Sequence, residues 1–348
     1  MQPASSRRLL LIALLPLAIA TLLPLILRRS ESTPQVVVYC AHDSIFADAV
    51  LRKFEQQTGI RVTVRYDEEA SKSLGLTQLL VAEKNAPRCD VFWNNQTLGT
   101  IRLQKAGLLR QCPPEWFVRI PERYRDTEGY WCGFAGRFRV WIVNTSRMQA
   151  DQDAVHRAFG GADLSRCSLA VPLFGTTLTH YTELAAEVGF AQLQEWHRSL
   201  RNRGLREARG NGAVRDLVAA GACDFGMTDT DDAFAAIDAG KPVQMLPCRL
   251  PSGKTICIPN SVAIIRNCPH PQQAEQLLRY LISAEVELQL AASASRQIPL
   301  GQVAPEQVPA EVRPLLGWVS DSTSPAAAAD FDGPVLNWLG GLYTGAGN

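Results

Sequence analysis

Between residues 36 and 94 the hydrophobic positions alternate between two periods. Val36-Val37-Val38-Tyr39 is a β-branched and aromatic run of the kind that forms a buried strand. It ends at the polar stretch Ala41-His42-Asp43-Ser44, after which Ile45, Ala49, Val50 and Phe54 recur at helical spacing as far as Thr58-Gly59. Residues 60–66 predict a second strand, residues 75–84 a second helix with Leu76, Leu79 and Leu80 inward, and Asp90-Val91-Phe92-Trp93 a third strand. Such alternation predicts a mainly parallel α/β sheet with its loops gathered at the carboxyl ends of the strands. Those loops are strongly polar, with His42-Asp43, Asp67-Glu68-Glu69 and Asn94-Asn95-Gln96, and should converge on one crevice.

The same pattern resumes downstream. Arg137-Phe138-Arg139-Val140-Trp141-Ile142-Val143 reads as a strand leaving the glycine-rich stretch that starts at Gly133, and as the crossing into a second lobe. That lobe contains the apolar run Leu169-Ala170-Val171-Pro172-Leu173-Phe174, an amphipathic helix over residues 190–202 and the strand Phe225-Gly226-Met227. Ser261-Val262-Ala263-Ile264-Ile265 returns the chain to the first lobe, followed by a helix over 271–282. The expected division is residues 36–136 plus 258–300 for the first lobe and 137–257 for the second, each a mixed, mainly parallel sheet with helices on both faces. Residues 301–348 should pack on the lobes through Trp318, Phe331, Trp338 and Tyr343. Two crossings between lobes make a hinge, with the crevice between them.

The N-terminus adds a location. Arg7 and Arg8 precede an uncharged apolar run over residues 9–27, and the small-x-small triplet Ala18-Ile19-Ala20 falls inside that run instead of after it. An uncleaved membrane anchor with a polar tether to residue 35 is expected, placing the folded part outside the cytoplasmic membrane. With 35 basic and 34 acidic residues there is no overall charge bias toward nucleic acid. The nine cysteines show no C-x-x-C or other zinc spacing. A hairpin with Ser252-Gly253 as a two-residue loop would set Cys248 opposite Cys257, and a disulfide is expected there in an oxidising compartment. No nucleophile elbow, phosphate loop or H-E-x-x-H motif is present, so a catalytic role is not expected.

In order along the chain, Tyr39-Cys40-Ala41-His42-Asp43, Asp90-Val91-Phe92-Trp93-Asn94-Asn95, Gly133-Phe134-Ala135-Gly136-Arg137-Phe138-Arg139-Val140, Leu173-Phe174-Gly175-Thr176-Thr177 and Thr228-Asp229-Thr230-Asp231-Asp232 carry a resemblance. The chain resembles the ferric-ion-binding type of extracellular solute-binding proteins from residue 36 to about 300. The resemblance implies a two-lobed, periplasmic-binding-protein-like α/β receptor that closes on its cargo and hands it to an ABC permease in the inner membrane. It implies Fe3+ or another oxygen-preferring cation as cargo, with or without a synergistic anion, and no catalytic cofactor; the receptor is expected to be a monomer.

In that family a first-loop histidine, a glutamate after the third strand and two adjacent tyrosines hold the metal. Here the first position falls on Asp43 with His42 one residue early, the glutamate position on Asn95 and the tyrosine pair on Asp231-Asp232. The implied metal set is His42, Asp43, Glu69, Asn95, Asp231 and Asp232; the implied ligand and anion set is Gly175, Thr176, Thr177, Arg137, Asn211 and Asp229. The residues themselves support both halves. Converging carboxylates suit a hard cation that neutralises their repulsion, and Gly175-Thr176-Thr177 before a helix offers N–H groups to an anion. Plainer roles stay open: Thr228 to Asp232 and Asn211 as helix caps, His42 as a loop histidine, Glu68-Glu69 as a solvated pair, Arg139 as a surface ion-pair partner. A binding protein for a small organic or inorganic anion is the alternative function, and a metal-dependent hydrolase a more distant one.

Overall fold

The structure, a computed structural model, describes residues 33–67 and 74–344. Glu68, Glu69 and the apolar run over 9–27 lie outside the described residues, and none of the described helices is long and apolar enough to cross a membrane. The first lobe opens with β1 (Gln35–Cys40), α1 (Ser44–Thr58), β2 (Arg61–Tyr66), α2 (Leu74–Ala82), β3 (Val91–Asn94) and α3 (Leu98–Lys105). Then follow β4 (Cys132–Asn144), α4 (Gln152–Gly160), β5 (Cys167–Ala170), α5 (Gly175–Val188), α6 (Phe190–Asn202), β6 (Arg206–Ala208), α7 (Asn211–Ala219), β7 (Phe225–Asp229), α8 (Thr230–Asp238) and β8 (Val243–Pro247). The chain returns through β9 (Cys257–Ile264), α9 (Pro271–Leu281) and α10 (Ala284–Ala292), and ends with α11 (Leu316–Ser320) and α12 (Asp332–Thr344).

The strands form one curled mixed sheet in the order β2-β1-β3-β9-β4-β7-β5-β6, with β8 also on β4. β1 is parallel to β2 and β3, so their carboxyl ends, at Cys40, Tyr66 and Asn94, lie at one edge of the sheet. β4 is the element that joins the lobes. Its first half pairs with β9 from Cys132↔Val262 to Phe138↔Cys257, and its second half with β7 and β8 from Arg139↔Asp229 and Val140↔Pro247. All thirteen of its residues are buried, as in a strand covered on both faces. Val140 and Ile142 enter one cluster with Val214 and Val218 of α7, while Trp141 and Val143 enter another with Leu178 and Tyr181 of α5. α12 packs on that second face through Val335 and Leu339, and Trp318 meets Phe138 edge-on at 5.7 Å.

Two expectations need correction. The glycine-rich stretch before Arg137 is strand, not loop, because its glycines serve close approach: a Cβ at Gly133 would lie 2.6 Å from the Tyr124 carbonyl oxygen. The register slips between Phe134 and Gly136, where Ala135 takes a φ of 41°, which makes a bulge at the lobe boundary.

The second correction concerns Cys248 and Cys257, which are separate free thiols. Arg249 pairs with Thr255 and the Leu250 N–H donates to the Lys254 carbonyl, so the hairpin loop has three residues, and the register is shifted by one from the pairing that would set Cys248 opposite Cys257. A one-residue register change sends a side chain to the opposite face: Cys248 packs in the second lobe's core and Cys257 in the first. Alkylation in denaturant without reductant should recover the two cysteines singly modified; a cross-linked peptide in the mass map would reverse this register.

Candidate functional site

α5, α7 and α8 all begin at the wall of one cleft of about 820 Å³, at Gly175, Asn211 and Thr230. Each start leaves backbone N–H groups without an intrahelical partner. Gly175 takes a φ of 62°, open to glycine, and turns the strand-to-helix connection into the cleft. Asn211 is the hub that ties the three starts together. Its Nδ2 donates to Thr176 Oγ1 at 2.7 Å and to Asp229 Oδ2 at 2.9 Å, and its Oδ1 accepts from Thr177 Oγ1 at 3.3 Å. Gly210, not Asn211, occupies the cap position of α7, so Asn211 is an organiser of the cleft and not a helix cap.

Beneath the hub lies Arg139, wholly buried, which overturns its reading as a surface ion-pair partner. It sits directly opposite Asp229 in the β4–β7 register, and its Nη1 donates to Asp229 Oδ1 at 2.6 Å and to Asn211 Oδ1 at 3.1 Å. Sequence spacing identified Arg137 and Arg139 as neighbours on one strand, but the change of partner strand between them separates their roles. Arg137 stays in the cleft, donating to the Asn95 carbonyl at 2.5 Å with Nη1 3.8 Å from Asp231 Oδ2. It therefore touches both lobes.

The carboxylates of Asp229, Asp231 and Asp232 come together, each with an oxygen within 4.8 Å of the others. Asp229 is committed to Arg139 and Asn211. Asp231 Oδ1 accepts from the Asp232 N–H at 3.1 Å, and Asp232 Oδ2 accepts from Thr228 Oγ1 at 2.9 Å. So Asp231 contributes to the helix start and still faces the cleft. Burial raises the Asp231 carboxyl above the ordinary range, Arg137 pulls it back, and Asp229 and Asp43 add repulsion. Burial first, then repulsion from Asp231 and Asp229, raises Asp232 as well. An added cation relieves both causes at once.

Asp43 and Asn95 line the same cleft from the first lobe. His42 does not. Its side chain is buried in the first lobe, 5.5 Å from the Trp93 ring, and its Nε2 meets Gln297 Nε2 at 3.1 Å. Arg209 and Arg215 are cleft-lining groups that sequence reading missed; Arg215 Nη1 stands 3.5 Å from Asp232 Oδ1. The basic residue before Gly210-Asn211-Gly212 was a visible signal for Arg209, whereas Arg215 lies one turn into α7 and carries none.

Further along α5, Glu183 is buried; its Oε2 accepts from Thr323 Oγ1 and Oε1 has no hydrogen-bond partner among the described residues. Burial lifts its carboxyl to about 8. The native state thus holds a proton that the unfolded chain releases near the ordinary carboxylate value, so stability falls as pH rises from that value to about 8 and is level above it. Glu183→Gln should abolish this slope. Thermal melts are expected to coincide with the wild type near pH 5 and to lie several degrees higher at pH 9 (on the order of 2–4 °C per kcal/mol); parallel melting curves would refute the buried charge.

Two α/β lobes joined by strands, with polar groups from both walls meeting in the cleft, define a binding protein that encloses a small solute. The chain belongs to the bacterial extracellular solute-binding protein family, whose pattern matches residues 49–313. It is 26% identical over 117 residues to the Fe(3+)-binding periplasmic protein of Serratia marcescens, a match spanning 33% of that relative's length. In structure it is similar to iron-bound HitA from Pseudomonas aeruginosa (TM-score 0.73, 20% identity), covering 88% of this chain and 99% of that one. The ferric binding protein from Campylobacter jejuni aligns with a TM-score of 0.75 at 16% identity, covering 88% and 99% of the two chains.

Proposed function

We propose that the protein is the substrate-binding component of an ABC importer and captures a metal cation, Fe3+ first among candidates, between its two lobes. The observation that carries this reading is the convergence of Asp229, Asp231 and Asp232, with Asp43 lining the facing wall. Asp231, Asp232 and Asp43 supply the hard oxygen donors that such a cation prefers, while Arg139 neutralises Asp229 from below. The start of α5 at Gly175, Thr176 and Thr177 and the Arg137 guanidinium suit an accompanying anion that completes the coordination. Glu69 is retained as a proposed first-lobe donor. A cargo held by both walls stabilises the closed form over the open one, and a membrane permease reads that population shift. The tether over residues 9–27 would keep the receptor at the outer face of the cytoplasmic membrane.

Of the relatives named above, two are ferric-binding by name and HitA is iron-bound, which supports iron as the cargo class. The tyrosine pair that the family resemblance implies falls on Asp231 and Asp232 here, which favours carboxylate in place of phenolate ligation. Elemental analysis of protein purified from the exported fraction is expected to find stoichiometric iron. The second reading, a receptor for a small anion, is favoured by the arginines 137, 209 and 215 and the three helix starts; an organic or inorganic anion retained without metal would establish it.

A further inference from the structure

A buried chain of hydrogen bonds leads from the first cleft loop to the lobe boundary, and its polarity is fixed by chemistry. The Trp93 indole N–H can only donate, and it meets Asn260 Oδ1 at 3.3 Å. The Asn260 amide nitrogen therefore faces the other way, donating to the Ala135 carbonyl at 2.5 Å and to Gln297 Oε1 at 2.6 Å. That orients Gln297 so that its Nε2 donates to His42 Nε2 at 3.1 Å. The His42 lone pair at Nε2 is thereby occupied, and the neutral ring carries its proton at Nδ1. A metal ligand needs a nitrogen lone pair of its own. His42, Trp93, Asn260 and Gln297 are all at least nine-tenths buried.

The far end of this chain is mechanically significant. Ala135 is the positive-φ residue of the β4 bulge, its N–H donating to Glu287 Oε1 at 2.8 Å, and Ile298 is paired with Gly136 through both N–H···O bonds at 2.8 Å. Two residues after the bulge, Arg137 enters the cleft. At the near end, Asp43 follows His42 directly and lines the cleft. We propose that His42 is a positioning residue for cargo capture: it accepts from Gln297 and so holds Asp43 in fixed relation to Arg137, without touching the cargo itself. The inference rests on the cation reading above, and deepens it by removing His42 from the ligand set and adding Gln297 and Asn260 to the support of the site.

The test compares His42→Leu, His42→Gln and Gln297→Leu in competition titrations with Fe3+ supplied as a weak chelate, using the whole exported chain. Leucine at either position breaks the chain, and each single change should weaken Fe3+ binding about 10–100-fold, the size seen when support of a metal site is lost. His42→Gln keeps an acceptor within reach of Gln297 and should bind within about threefold of wild type. The double leucine variant should be no weaker than the weaker single one, because both changes break one chain. Pulsed EPR of the Fe3+-loaded wild type should show no imidazole nitrogen coupling that disappears in His42→Gln. Loss of binding in both His42 variants with full binding in Gln297→Leu would overturn the positioning role alone. Failure of the wild type to bind Fe3+ would overturn the cation reading together with this one.

Discussion

Changing Asp231 and Asp232 together to alanine is expected to lower cation affinity by roughly a thousandfold or more. Each unit charge at about 4 Å from a cation contributes on the order of 4 kcal/mol per cationic charge at an effective dielectric near 20, before solvent screening reduces it. Retaining even half of that for two carboxylates gives about 4 kcal/mol, or a factor near 10³. The fold should not suffer, because both carboxyls are raised by burial and by Asp229, so their removal relieves repulsion in the empty protein. Calorimetric titration measures the first effect and thermal melting the second. The same variant separates the two functional readings: an anion receptor relieved of two negative charges would bind its anion more tightly, and unchanged cation affinity would reject the site.

Arg139→Met should destabilise the protein by about 3–5 kcal/mol in denaturant titration, with loss of the organised cleft wall, because Asp229 would be left as a buried carboxylate without its counter-charge. The Arg139 side chain is fully covered and that of Asp229 only 4% exposed, so solvent cannot replace the lost partner. Adding Asp229→Leu should recover much of the stability, since an apolar pair of similar volume is often neutral relative to a buried ion pair. Cargo binding should not recover, because Asn211 would lose Asp229 Oδ2 and the bond it accepts from Arg139, and with them the alignment of the α5 and α7 starts. A surface ion pair would behave differently: breaking one changes stability by at most about 1 kcal/mol.

Particular elements mark how far sequence reading reached. β1 and α1 were legible because their apolar spacing is unambiguous over six residues or more, β3 because Val91-Phe92-Trp93 is an unbroken apolar run, and all three because polar loops punctuate them. The cleft location of Asp43, Asn95, Arg137, Asp231 and Asp232 was legible for the same reason: each lies at or just beyond the end of an identifiable strand, or at a lobe crossing. β8 went unread, since Val243-Gln244-Met245-Leu246-Pro247 has no clean alternation and is a strand only through its pairing with β4. Gly133 to Gly136 looked like a loop because glycine is read as turn chemistry; the close approach of the Tyr124 carbonyl is invisible without the fold.

His42 and Arg139 show the same limit from opposite sides. One polar residue beside the cleft is spent inside the first lobe, while the other, expected at the surface, forms the floor of the second. Local periodicity, loop polarity and composition decided that this chain would build two α/β lobes facing a polar crevice, because those properties depend on neighbours a few positions away. Which polar side chains point into that crevice depended on strand register and on partners far along the chain, such as Gln297 for His42 and Asp229 for Arg139. A hydrogen bond or ion pair needs its partner within about 3 Å, and only the tertiary structure sets distances of that kind between residues 90 or 255 positions apart.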